Sequence, residues 1–130
     1  MSKRRLTLEV PLPPYRPPRN SWRRLIHEAA LSASRVRSVH YSATDKLEVH
    51  VTLDLSPSAT LVHDVDNRLK DVLDALQGRT GGPKRLRVLE PVIPNDNQIY
   101  RVSIEKSPRS DGKRPHGKIT IKKLRSRSSA

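Results

Sequence analysis

Asp64 and Asp66 stand one residue apart at the head of the stretch His63–Gly78, HDVDNRLKDVLDALQG. In an extended or turning approach, side chains two apart project the same way, so these carboxylates can face one point. Leu69, Val72, Leu73 and Leu76 recur at helical spacing behind them, while Asn67, Lys70, Asp71 and Asp74 fall on other faces. Gly78 is placed to end this helix of about three turns as its left-handed cap. Asp66 can cap the start, with Lys70 lying over it one turn on. Two carboxylates and an ammonium then share one helix entrance, a costly arrangement unless something positive sits between the acids. The same pattern also describes an ordinary cap beside a solvated acid and a weak surface pair.

A second acidic stretch, Pro94-Asn95-Asp96-Asn97-Gln98, precedes a strand-like segment. Brought together, Asp64, Asp66 and Asp96 would hold a hard, oxygen-preferring ion such as Mg²⁺, with Mn²⁺ as the alternative. Such an ion polarises a phosphate and activates a water. Lys70 would offset charge on the reacting phosphate or orient the water. Nothing supports a serine, cysteine or zinc mechanism: the chain has no cysteine, and His27, His40, His50, His63 and His116 show no ligand spacing. Only His63, beside Asp64, is worth testing among them.

Charge points to the substrate. The net charge is +13. Residues 1–37 carry nine Lys/Arg against two acids, residues 101–130 ten against two, and residues 38–100 seven against nine. A protein that only coats nucleic acid gains nothing from acids at its centre, because each repels phosphate. Basic flanks around an acidic cluster suit a protein that grips a backbone and brings a metal to it.

The elements that must position these groups follow from periodicity. Arg4–Val10 alternates as a first strand, and the prolines at 11, 13, 14, 17 and 18 impose a stiff loop carrying Arg16 and Arg19. Asn20 or Ser21 can cap a helix whose apolar positions are Trp22, Leu25, Ile26, Ala29, Ala30, Ala33 and Val36. Arg23, Arg24, Arg35 and Arg37 lie off that stripe, either solvated or on phosphate. Lys46–Leu55 is the clearest strand, with Leu47, Val49, Val51, Leu53 and Leu55 on one face. Gly81, Gly82 and Pro83 imply a turn, with Lys84, Arg85 and Arg87 just beyond to guide nucleic acid. No phosphate-cradling nucleotide loop is present. Ile99–Lys106 and Lys118–Leu124 alternate as two strands joined by a segment with an Asp111-Gly112 turn signal.

The order is β-α-β-α-β-β, a small two-layer α+β domain over residues 1–124 with two helices on a mixed sheet and a disordered basic tail at 125–130. With 34% apolar residues, no Phe and one Trp, the core is thin, which favours a dimer. No signal peptide or membrane span is evident, so the expected location is the cytoplasm.

The pattern D-x-D-N-x-x-K-x-x-x-D-x-L followed by D-x-Q and a strand resembles the RusA family of Holliday junction resolvases. It reads Asp64, Asp66, Asn67, Lys70, Asp74 and Leu76, then Asp96 and Gln98, within residues 64–106. The resemblance implies a bacterial or phage-encoded homodimer of DNA recombination and repair, which resolves four-way junctions by paired, Mg²⁺-dependent strand cleavage. It implies that Asp64, Asp66 and Asp96 are the catalytic, metal-binding acids and Lys70 the catalytic lysine, with no nucleotide cofactor. Asp74 matches a recurrent acid, expected to pair with Lys70. DNA contacts are expected from Arg16, Arg19, Arg23, Lys84, Arg85 and Arg87. Two departures stand out: Asn95 where many members have an acid, and SPSATLVH where members can carry a basic run. A dimer suits a junction of near two-fold symmetry, since it presents two equivalent sites. The rival readings are a non-catalytic basic nucleic-acid-binding protein and a resolvase-like protein that binds branched DNA but cuts poorly. The near absence of aromatics argues against a reader that stacks single-stranded bases.

Overall fold

The structure, a computed structural model, describes residues 7–15, 17–55, 64–81, 89–108 and 117–124. Four strands and two α-helices follow in the order β1 (Thr7–Leu12), α1 (Arg19–Arg37), β2 (Leu47–Leu55), α2 (Val65–Leu76), β3 (Ile99–Pro108) and β4 (Gly117–Lys123). A 3₁₀ turn, Asp96–Gln98, leads directly into β3. This is the expected α+β arrangement of two helices and a mixed sheet. The expected tail at 125–130 lies outside the described residues.

In β1 the alternation of Leu8, Val10 and Leu12 buries one face, and in β2 Leu47, Val49, Val51 and Leu53 do the same. Consecutive residues of a strand point to opposite faces, so one face is apolar and its back stays wet. Strand order in the sheet is β1-β4-β2-β3. Pairing of β2 with β3 is parallel, as a strand–helix–strand crossover through α2 requires. β4 runs antiparallel to both β1 and β2, placing Ile119 against Val10 and Val51, and Ile121 against Leu8 and Val49. The last two strands are therefore consecutive in sequence but not neighbours. With Ile119 and Ile121 both fully buried, β4 fills a central position rather than an edge.

α1 departs from the expected cap. Pro18, in extended backbone, occupies the N-cap position without a side-chain cap, and its carbonyl accepts from the N–H groups of Ser21 at 3.0 Å and Trp22 at 3.3 Å. The helix thus begins before Asn20 and Ser21, because a proline's fixed φ and missing N–H cost nothing at a helix entrance. Its buried stripe is Trp22, Ile26 and Ala30, joined by His27 and Ser34. Leu25 and Val36 remain 42% and 80% exposed. The covered arc is narrower than the apolar periodicity, although α1 packs on both β1 and α2. Ser38, left-handed at φ 54°, ends the helix.

The end of α2 matches expectation. Gly78 has φ +82°; its N–H donates to the Ala75 carbonyl at 2.9 Å and the Arg79 N–H to the Asp74 carbonyl at 2.8 Å. These are the two bonds of a Schellman closure. Val92 and Ile93 then donate to the Leu76 carbonyl at 2.8 and 2.9 Å, tying the segment before β3 to the helix end. A Cβ on Gly78 would stand 2.2 Å from the Leu89 carbonyl oxygen. Gly78→Ala is expected to cost at least about 2 kcal/mol, from left-handed strain plus a backbone clash. Urea unfolding should show a lower midpoint at an unchanged slope.

Candidate functional site

The chain enters α2 through Asp64, which takes the N-cap position in extended backbone at φ −95° and ψ 123°. Its Oδ1 accepts from the Asp66 N–H at 3.1 Å. Asp64, not Asp66, is the capping residue. The reason is geometric: a cap oxygen reaches the amide two or three residues ahead, and that amide belongs to Asp66. Both carboxylates are exposed, as is Lys70 one turn on. No described residue forms an ion pair with Lys70. Asp74 pairs instead with Arg23 Nη2 at 3.3 Å, so the expected Lys70–Asp74 pair is replaced by one with α1.

Asp96 sits at the first position of the 3₁₀ turn, exposed, with Asn95 as the N-cap. The turn is closed reciprocally: Asn95 Oδ1 accepts from the Asn97 N–H at 3.5 Å, and Gln98 Oε1 from the Asn95 N–H at 2.9 Å. Gln98 is 4% exposed, and its Nε2 donates to the carbonyls of Ser42 and Asp45, both at 2.8 Å. The glutamine of the D-x-Q pattern is thus a fastener, holding Asp96's turn to the segment before β2. Asn95 supplies a cap here, a role its side-chain oxygen fills as an aspartate's would. Asp45 in turn accepts from the Ser42 N–H at 2.9 Å, and this bond, with Lys123 at 3.2 Å, holds its carboxyl below the usual range. Gln98→Ala should cost about 2–3 kcal/mol, because it strips three hydrogen bonds from a buried turn. A melting curve reads that loss directly.

Among the described residues, no three His, Asp or Glu side chains stand close enough to hold a metal ion. Asp64 and Asp66 share one helix mouth, but Asp96 is not gathered with them into a three-carboxylate group.

The dominant charged cluster lies one turn further along α2. Asp71, expected off the apolar stripe, is fully buried. Arg19 directs Nε at 3.0 Å and Nη2 at 2.9 Å to its Oδ1, and Arg23 directs Nε and Nη2 to the same oxygen, both at 3.0 Å. Arg68 Nε stands 3.3 Å from Oδ2, near enough for an ion pair though not aligned as a hydrogen bond. The Arg68 guanidinium lies 4.3 Å over the Tyr15 ring, and Tyr15 meets Trp22 edge-on at 5.0 Å. The bond to Asp71 pushes the Arg19 pKa further up. Arg19 and Arg23, expected on DNA, thus make their described contacts with this acid.

Periodicity missed Asp71 because it assumed a single covered face. α2 packs on α1 as well as on the core, so a second face is buried and is polar. The signal was present in spacing alone: Arg19 and Arg23 are i,i+4 on one helix, and Arg68 and Asp71 are i,i+3 on the other.

The remaining candidates divide simply. Arg16, His63, Lys84, Arg85, Arg87 and His116 lie outside the described residues. His27 is buried, its Nε2 2.7 Å from the Glu90 carbonyl. His50, half-buried on the polar face of β2, bridges Glu48 at 2.7 Å and Ser103 at 2.6 Å. No described helix is long and apolar enough to cross a membrane. A scan against models of known protein families finds no match, and a search among curated proteins finds none either.

Proposed function

We propose that this chain is a metal-dependent endodeoxyribonuclease acting on branched DNA, four-way junctions foremost, as a homodimer. The observation that carries the reading is a pair of exposed carboxylates, Asp64 and Asp66, at one helix mouth of a chain with net charge +13. The pattern that continues through Lys70 to Asp96 and Gln98 supports it. Mg²⁺ takes one or two carboxylates, keeps several waters and completes its shell with phosphate oxygens, so an exposed acidic pair fits its donor preference. Bound there, the ion would supply Lewis-acid polarisation of the phosphodiester and a more acidic water. Asp96 is the candidate third donor. Lys70, exposed one turn beyond Asp66, offers an ammonium to charge building on the phosphate oxygens. Asp64's cap bond orients its carboxylate, and Gln98 holds Asp96's turn in place.

The second reading is a basic protein that binds branched DNA without cutting it. It is favoured by one observation, the strong positive charge of the two ends of the chain. A synthetic four-way junction incubated with and without Mg²⁺ separates the two. Paired, Mg²⁺-dependent nicks support the nuclease; binding indifferent to Mg²⁺, without product, supports the binder.

A further inference from the structure

We propose that the arginine cluster on Asp71 is a preformed clamp for the phosphodiester backbone, with Arg19 as the residue that touches it. The inference rests on the nucleic-acid reading above and gives one of its expected contacts, Arg19, a fixed geometry.

Three arginines, 19, 23 and 68, meet two acids, Asp71 and Asp74, and Asp71 is fully buried. The cluster therefore carries one uncompensated positive charge, and among its cations Arg19 is the exposed one, at 44% against 14% for Arg23 and 10% for Arg68. The stereochemistry shows what is left to bind with. Arg19 engages Asp71 through the Nε–Nη2 edge of its guanidinium. Its Nη1 contacts no described acceptor, and the side chain remains 44% exposed. The end of the fork is thus presented outward by a carboxylate that holds its other edge. An arginine fixed in this way has already given up its rotamer freedom, so a phosphate that docks on it does not have to order it. Phosphate oxygens match the fork in two-point contact, which a lysine cannot reproduce.

The location fits the same substrate. Asp71 follows Asp66 by five residues, about 7.5 Å of helix rise. A strand seated on Arg19 would run close to the acidic helix mouth. Arg24, exposed on the same helix, has no carboxylate to hold it among the described residues.

The test compares Arg19→Gln with Arg24→Gln, which remove the same charge from the same helix. The probe is a fluorescent four-way junction in EDTA, titrated by anisotropy across a salt series. Arg19→Gln should weaken binding about tenfold and lower the salt slope by about one. Arg24→Gln should weaken it a few-fold at most, and Arg19→Lys should recover only part of the loss. Arg23 and Arg68 still hold Asp71 in these variants, and a melting curve checks the fold. Equal losses in Arg19→Gln and Arg24→Gln, or complete recovery in Arg19→Lys, would overturn the clamp and leave the nuclease reading standing. Failure of the unmodified protein to bind the junction would sink both.

Discussion

Asp66→Asn should bind a four-way junction as tightly as the unmodified chain, or more tightly, and cut it at least about 100-fold more slowly. The amide keeps the shape and size of the carboxylate while removing its charge and much of its affinity for a hard cation. The helix is not at risk, because Asp64 supplies the cap and its bond goes to the Asp66 backbone N–H, which an asparagine retains. Removing one acid from a basic protein also reduces repulsion of phosphate, so affinity in EDTA should hold or rise. Binding and single-turnover cutting measured on the same junction check both halves. Cutting unaffected by the substitution would sink the site assignment. Asp96→Asn makes a sharper second test: a cutting defect there with normal melting would bring Asp96 into the reaction, although the described acids do not form a group of three.

Asp71→Ala should be the most destabilising single substitution in the helical layer, by about 3–5 kcal/mol. The carboxylate is fully buried and compensates Arg23, whose side chain is 14% exposed, and Arg68, at 10%. Removing it takes this carboxylate from two nearly buried guanidiniums, that of Arg23, which keeps Asp74 at 3.3 Å, and that of Arg68, which lies over Tyr15 and Trp22. Arg19 matters less to this balance, because its exposed end is already solvated. A melting temperature lower by ten degrees or more follows from the usual entropy of unfolding at this chain length. Asp71→Asn should retain part of the stability, since its amide oxygen can still accept from Arg19 and Arg23. An Asp71→Ala variant that melts within a degree or two of the unmodified protein would show that the cluster is solvated and loose. That result would weaken the clamp as well, because the clamp depends on Arg19 being held.

The contrast between the two acids shows how much of this site could be read in one dimension. Asp64 and Asp66 were legible because a cap, an acidic pair and a following stripe of Leu69, Val72, Leu73 and Leu76 are all local features. The stripe was displaced in detail: Val72, Ala75 and Leu76 are buried, while Leu69 and Leu73 are only partly so. Gln98 was visible as part of a pattern, but its task was not, since its partners Ser42 and Asp45 lie more than fifty residues earlier. Asp71 was placed off the apolar stripe, but its burial was not legible, because two of its three partners, Arg19 and Arg23, come from α1.

What the sequence determined by itself is what short-range physics controls. Alternation set β1, β2, β3 and β4 within one or two residues at the described ends, helical spacing set α1 and α2, and the single glycine at 78 set where α2 stops. The uneven charge, too, is a property of the chain and needs no fold. The tertiary structure alone decided that β4 enters between β1 and β2 and that Asp71 lies buried under three arginines. Each depends on which surfaces meet. Strand alternation says which face is apolar but not which neighbour covers it, and a charged residue reads as solvated until another helix brings its counter-charges. Burial is decided between elements, and residue spacing records only what happens within one.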